Sequence, residues 1–194
     1  MELQLTIEQV KALLVIAPKS DTRYYLNGAL LEVKSDRAWL VATDGMRLLA
    51  INLTDGLRDL CDGQYIIPRG LLAGAKAKKG ATVTLALDEF ESAARVRIIA
   101  GATETAARTL EGRFPDWRRV VPVQVSGALA HYDPAYVGDF GTVAELLGGA
   151  RISARIHPNG TDAAPVDLGT ADALGLLMPL RADQLPYSRP DWLA

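Results

Sequence analysis

Hydrophobic positions at the start of the chain follow first a strand period and then a helix period. Leu3 and Leu5 alternate with polar residues, and the apolar residues between Ile7 and Leu14 then recur at helical spacing. Three further strands are predicted at residues 24–33, 38–43 and 47–53, with turn residues between the first two at 34–36. This stretch predicts a unit of one strand, one helix and three strands.

Residues at the predicted helix ends support the same division. Thr6 stands before the first helix as an N-cap, and Gln9 follows three residues later as the partner of a capping box. Asp133 and Pro134 form a cap and a first helical position further along the chain. Each predicted helix therefore has a start signal directly after a short strand.

A second unit with the same order follows the first. The apolar strand 65–67 leads into a helix that is predicted from Pro68 to Lys79, with Gly80 as its C-terminal cap. Lysines at its C-terminal end suit the helix dipole. Three strands complete the unit, at residues 83–87, 96–98 and 102–110.

The third unit begins after a linker at 111–123. A strand at 128–130 precedes an amphipathic helix that ends at Gly148-Gly149. The remaining strands are predicted at residues 151–156, 165–168 and 174–179. The sequence thus predicts an α+β fold of three strand–helix–three-strand units, although a plain α+β protein with three helices is the simpler alternative.

Composition excludes several classes of protein. The chain has 194 residues, 49% of them hydrophobic and 23% charged, which is enough to bury a core. Its net charge of −2 provides no overall positive field toward DNA or an acidic membrane. Apolar runs are too short for a bilayer, and residues 1–20 do not form a signal peptide. We therefore expect no membrane partner.

Cysteine and histidine content argues against disulfides, metals and cofactors. Cys61 is the single cysteine, so no internal disulfide forms, and a reducing, cytoplasmic setting is expected. His131 and His157 do not build a metal cluster with it. Asp133 beside His131 is better explained as a helix cap than as an acid–base catalyst, and no phosphate-binding glycine loop is present. We expect a protein that is not an enzyme and needs no cofactor.

Four short stretches, in this order, resemble one family. They are Arg23–Gly28, Thr43–Leu48, Gly112–Pro122 and Leu176–Arg181. The second resembles the segment TDGHRL, with Met46 in place of His, and the third resembles GRFPDYRRVLP, with Trp117 in place of Tyr. The fourth resembles VVMPMR. Together they resemble the bacterial DNA polymerase III beta subunit, the sliding clamp.

The resemblance implies a division into domains. Residues 1–110 resemble the family's middle clamp domain, built from two units, and residues 124–181 resemble the second half of its last domain. Residues 111–123 correspond to the linker, and residues 182–194 form a tail. Since rings of this family contain twelve such units, with helices inside and sheets outside, three units per chain imply a homotetrameric ring.

The resemblance also implies a hydrophobic groove that binds short peptides of a DNA polymerase or of another DNA-processing protein. Its residues carry over one by one: Leu26, Thr43, Gly45, Met46, Arg47, Leu48, Pro115, Arg119, Val120, Leu176, Leu177, Met178, Pro179, Leu180 and Arg181. Aliphatic side chains and Met suit an apolar anchor, and the arginines suit carbonyl or acidic groups at the rim. For Leu26 and Leu176, core packing is an equal alternative.

A sliding clamp holds double-stranded DNA without reading bases, through basic residues that face the phosphates. The candidates are Lys11, Lys19, Arg23, Arg69, Lys76, Lys78 and Lys79. A solvated helix end explains the lysine cluster equally well. The third helix carries acidic residues and no Lys or Arg, so it would repel DNA if it faced the DNA.

These features favour a processivity factor that tethers a polymerase to DNA. The alternative is an interaction module that forms no ring and binds clamp-directed peptides or a host clamp. Gln184-Leu185 in the tail resembles the peptides that clamps bind. The tail therefore either occupies a groove and competes with partners, or is a proline-broken, partly ordered terminus whose Trp192 packs on the surface.

Overall fold

The computed structural model describes residues 1–53, 57, 61–88, 94–149, 153–181, 189–190 and 192. The first unit comprises β1 (Glu2–Thr6), α1 (Ile7–Ile16), β2 (Gly28–Lys34), β3 (Arg37–Thr43) and β4 (Arg47–Leu53). The predicted capping box is confirmed: Thr6 Oγ1 accepts from Gln9 N at 3.1 Å, and Gln9 Oε1 accepts from Thr6 N at 2.8 Å. Residues Tyr24–Leu26 form a short 3-10 helix, not the start of a strand.

The second unit comprises β5 (Gly63–Pro68), α2 (Arg69–Gly74), β6 (Thr82–Asp88), β7 (Arg95–Ala100) and β8 (Thr103–Arg108). The prediction that the helix continues to Lys79 was wrong, because α2 ends at Gly74. Two glycines among its six residues lower its helix propensity. Gly80 consequently lies in the turn before β6 and caps no helix.

The third unit comprises α3 (Pro134–Gly148), β9 (Arg155–Ile156), β10 (Ala164–Asp167) and β11 (Ala173–Leu177). Asp133 caps α3 as predicted, with its Oδ1 accepting from Ala135 N at 2.8 Å. The predicted strand at 128–130 is not formed, and β11 ends before Pro179. Residues 151–152 of the predicted strand 151–156 and most of the tail lie outside the described residues.

Two antiparallel sheets connect the three units. One contains four strands in the order β1-β6-β7-β8, and the other contains seven in the order β5-β2-β3-β4-β11-β10-β9. Pairing of β4 with β11 joins the first unit to the third, with Leu48 opposite Leu176. The predicted α+β fold class is confirmed.

Hydrophobic residues form two clusters that lie on opposite faces of the larger sheet. The main core contains the buried faces of α1, α2 and α3 together with residues of both sheets. A smaller cluster contains Leu26, Leu48 and Leu176, and the linker covers it with Phe114 and Trp117. Because both faces of β2 are covered, six of its seven residues are buried.

Candidate functional site

A pocket of about 150 Å³ opens where β4 pairs with β11 and the linker crosses the sheet. Its walls consist of Arg23, Leu26, Thr43, Gly45, Met46, Arg47, Leu48, Phe114, Pro115, Asp116, Trp117, Val120, Ala163, Leu176 and Met178. Most of these side chains are apolar, and the pocket is therefore suited to an aliphatic or aromatic anchor.

The floor of the pocket is set by strand alternation. Leu48 and Leu176 are paired residues on β4 and β11, and both lie in the smaller cluster with Leu26. Their neighbours Leu49 and Leu177 point to the opposite face and are fully buried in the main core. Leu26 and Leu176 therefore fit both interpretations, because each is buried as a core residue and each also lines the pocket.

One wall is a turn whose shape is fixed by its own polar side chains. Thr43 Oγ1 accepts from Gly45 N at 3.0 Å and donates to Arg47 O at 2.7 Å. Asp44 Oδ1 accepts from Met46 N at 2.9 Å. Gly45 has φ +90°, and a Cβ there would lie 2.8 Å from a guanidinium nitrogen of Arg23. The turn holds Met46 at the pocket with its side chain 41% exposed.

Arg47 is bound by other groups of the protein. Its guanidinium forms ion pairs with Asp44 at 2.9 Å and with Asp139 of α3, and it lies 4.5 Å from the ring centre of Tyr136. Burial disfavours the charge, but these carboxylates outweigh burial and raise the pKa of Arg47. The side chain is only 11% exposed, so it links α3 to β4 rather than standing free at the rim.

The linker is fixed to the sheet by a buried carboxylate. Glu32 of β2 accepts hydrogen bonds from Gln64 Nε2 and Trp117 Nε1, both at 3.0 Å, and forms an ion pair with Arg118. Burial opposes ionisation of Glu32, but hydrogen bonds from Arg118, Gln64 and Trp117 together lower its pKa. These contacts of Glu32 therefore hold in position the part of the linker that lines the pocket.

A second ion pair orders the pocket rim near Arg23. The guanidinium of Arg23 donates to Asp21 Oδ2 at 2.7 Å and to Asp44 O at 2.8 Å. Hydrogen bonds from Arg23 lower the pKa of Asp21 to about 2. Arg23 was predicted to face DNA, but the structure places it at the pocket.

Ten of the fifteen predicted groove residues line this one pocket. The other five do not: Arg119, Leu177, Pro179, Leu180 and Arg181. Arg119 and Arg181 are exposed, and Leu180 N donates to His131 O at 2.7 Å. Of the lining residues that the prediction missed, Phe114, Asp116 and Trp117 lie within the linker motif, whereas Ala163 has no signal in the sequence.

The predicted DNA-facing residues do not form one group. Lys11, Lys19, Lys76, Lys78 and Lys79 are exposed. Arg69 instead donates to Leu14 O at 3.0 Å and to Ala17 O at 3.1 Å, at the C-terminal end of α1. The three lysines of the cluster follow α2 rather than forming its last turn.

Within the described residues, no group of three His, Cys, Asp or Glu side chains is arranged to hold a metal ion. In the same part of the chain, no helix has the length and apolarity to span a membrane.

Two solved structures of sliding clamps share this fold. A DNA polymerase sliding clamp from Bacillus subtilis superposes with a TM-score of 0.70 and 15% identity, over 94% of this chain and 64% of that one. A sliding clamp from Pseudomonas aeruginosa gives a TM-score of 0.68 and 18% identity, over 93% and 66%. The fold is therefore that of a sliding clamp.

Sequence comparison assigns the family. The model of the DNA polymerase III beta subunit, central domain, matches residues 1–116. The Beta sliding clamp of Pseudomonas aeruginosa is 35% identical over 107 residues, and that of Escherichia coli is 34% identical over 103. The chain belongs to the DNA polymerase III beta subunit family. The matched regions span less than a third of these relatives, 28% and 27% of their lengths.

Proposed function

We propose that this protein is a non-catalytic sliding clamp whose pocket binds a short peptide of a DNA polymerase or of another DNA-processing protein. The pocket between β4, β11 and the linker carries this proposal. It offers Leu48, Leu176 and Val120 as apolar surface, and Met46 as a side chain that adapts to different ligands. Arg119, which is exposed beside Val120, is available to an acidic or carbonyl group of the peptide.

The clamp acts in the cytoplasm as a homotetrameric ring around double-stranded DNA, so that weak peptide binding suffices to keep the partner near its template. Three units per chain and the lateral pairing of β4 with β11, which continues one sheet from the first unit into the third, support a closed ring of four chains. The exposed lysines 11, 19, 76, 78 and 79 are the phosphate-facing candidates. Residues 1–110, 111–123 and 124–181 remain our proposed domain, linker and half domain.

A matched pair of substitutions tests the pocket. Val120 lines it and is 48% exposed, whereas Val123 is 99% exposed and lies outside it. We expect Val120→Glu to weaken binding of a labelled peptide containing Gln-Leu followed by a hydrophobic residue by about tenfold or more, because a charge enters an apolar surface. Val123→Glu should bind normally in the same fluorescence anisotropy titration. Equal affinity of both variants would contradict the proposed site.

An interaction module that forms no ring is the second candidate. It is favoured by α3, which contains no Lys or Arg between Pro134 and Gly148, and by the engagement of Arg23 and Arg69 within the protein. Such a module would bind the peptide as a monomer. A ring would in addition stay on closed circular DNA and slide off the same DNA after linearisation.

A further inference from the structure

The first two units exchange their leading strands. β1, which directly precedes α1, pairs with β6 of the second unit, with Glu2 opposite Ala86. β5, which directly precedes α2, pairs with β2 of the first unit, with Gly28 opposite Pro68. Each unit therefore gives one strand to the sheet of the other and receives one in return.

The third unit lacks this reciprocal partner within the described residues. β9 is one of the two outer strands of the seven-stranded sheet. On its inner side β9 pairs with β10: His157 N donates to Pro165 O at 2.9 Å, and Arg155 lies opposite Asp167 in the strand register. Since backbone groups alternate between the two edges of a strand, those of Ala154 and Ile156 point away from β10. In the described part of the chain they have no hydrogen-bond partner.

The residues before α3 lie where a leading strand belongs. Leu110 N donates to Ile66 O at 2.8 Å, and Ile66 precedes the last residue of β5 by two positions. Leu180 N donates to His131 O at 2.7 Å, and His131 likewise precedes the helix cap Asp133 by two positions. Residues 129–133 are thus placed against their own unit in the same way as β5.

The opposite edge of this segment is open. In β5 that edge pairs with β2, whereas among the described residues the backbone groups of Ala130 and Tyr132 have no hydrogen-bond partner. The side chain of Leu129 is 93% exposed. An open strand edge beside an exposed apolar side chain is a surface that natural proteins normally cover.

We propose that a second copy of this chain supplies both missing partners. Residues 129–133 of each protomer, the leading segment, pair antiparallel with β9 of the other protomer. A two-fold axis relates the two third units, so each gives and receives one strand, as the first two units do within the chain. The exchange satisfies the open backbone groups of Ala130, Tyr132, Ala154 and Ile156.

This pairing also determines how chains follow one another in the ring, a point that rests on the proposed function. β8, the last strand of the second unit, is an outer strand of the four-stranded sheet. The second unit has already given its leading strand β5 to β2, so the β8 end cannot take part in the exchange. Like ends therefore meet, third unit with third unit and second unit with second unit, and four chains close the ring head to head with two-fold symmetry.

Replacement of Ala130 by Pro tests the exchange. The substitution removes an N–H that has no partner in the described protomer, so the subunit should fold normally, which thermal unfolding by circular dichroism checks. We expect light scattering to give half the wild-type particle mass. Gln124→Pro, in the exposed stretch before the segment, should retain the wild-type mass.

Amide hydrogen exchange provides the second measurement. In the wild type, the amides of Tyr132, Ala154 and Ile156 should be protected, and in Ala130→Pro they should exchange about 100-fold faster or more, since the ladder bonds are removed. A wild-type monomer would overturn the proposal, and so would an oligomer with these amides unprotected. Peptide affinity measured on the same samples reports on the proposed function separately, because the pocket lies within one protomer.

Discussion

At the scale of single residues, most charged groups around the pocket hold the pocket together. Arg47 joins β4 to α3 through Asp139, Arg23 is bound to Asp21, and Arg118 is bound to Glu32. The guanidinium carbon of Arg118 also lies 4.2 Å from the ring centre of Trp117. If the pocket binds a peptide as proposed, selectivity must therefore come mainly from the shape of the apolar surface, with Arg119 as an exposed charge beside it.

The carboxylate of Glu32 is expected to stabilise the protein in a pH-dependent way. At pH 7, Glu32→Gln should lower the free energy of unfolding by about 1–2 kcal/mol, because it weakens charge-assisted hydrogen bonds to partly exposed Arg118 and to Trp117. Urea unfolding followed by tryptophan fluorescence measures the difference. Glu111→Gln, at the exposed first position of the linker, serves as the control.

The sign of the pH effect follows from the lowered pKa of Glu32. A carboxyl with a lower pKa in the folded than in the unfolded state stabilises the fold above its unfolded pKa, and loses this contribution as the pH falls through its folded pKa. Protonated Glu32 resembles Gln, so the difference between wild type and Glu32→Gln should shrink in acid below the ordinary value of 4.5. A difference that stays constant down to pH 3 would contradict this assignment.

At the scale of elements, α3 packs on the end of the larger sheet because β11 has a glycine there. A Cβ at Gly175 would lie 2.7 Å from Phe140 Cε1 of α3 and 2.9 Å from Val166 Cβ of β10. Phe140 is fully buried, so it cannot move into solvent without giving up its packing in the core. The glycine therefore decides how closely helix and sheet approach.

We expect Gly175→Ala to lower the free energy of unfolding by about 1–3 kcal/mol, the usual cost of overpacking a well-packed core. Gly70→Ala is the matched control. Nothing lies within 4 Å of a Cβ at Gly70, which is in α2, so this change should be neutral or stabilising by about 0.5–1 kcal/mol. Denaturant unfolding of both variants measures the effect, and equal stabilities would show that the contact with Phe140 is not tight.

Elements with strong local signals were predicted correctly, whereas the strand before α3 and the length of α2 were not. The capping box of Thr6 and the cap at Asp133 define the starts of α1 and α3. The strand expected at 128–130 is absent because a strand needs a paired neighbour, and the described protomer provides none at its outer edge. α2 is short because its glycines favour ending the helix over continuing toward the lysines.

At the scale of the whole molecule, the question is whether exposed lysines suffice to hold DNA in the proposed ring, since each chain has a net charge of −2. Lys78 and Lys79 follow α2 and are exposed. If they face the phosphates, Lys78→Glu/Lys79→Glu should shorten retention on closed circular DNA. The slope of log affinity against log salt should fall by about 0.9 for each phosphate that the variant no longer neutralises.

The matched control is Lys34→Glu/Arg37→Glu, which makes the same change in charge at the exposed hairpin between β2 and β3. Gel filtration of each variant with circular DNA, at several salt concentrations, compares the two. An equal decrease in DNA retention in both variants would indicate an effect of total charge only. The lysines after α2 would then not belong to the proposed DNA-facing surface.

The sequence by itself determined the repeated units, the helix starts and the family, because these depend on local spacing and on short motifs. It also named ten pocket residues, because the short motifs that resemble the family carry them. Only the tertiary structure decided that Arg47 is bound by Asp139, that Glu32 fixes the linker, and that Ala163 lines the pocket. Each of these depends on which distant segments meet, and no spacing along the chain encodes that.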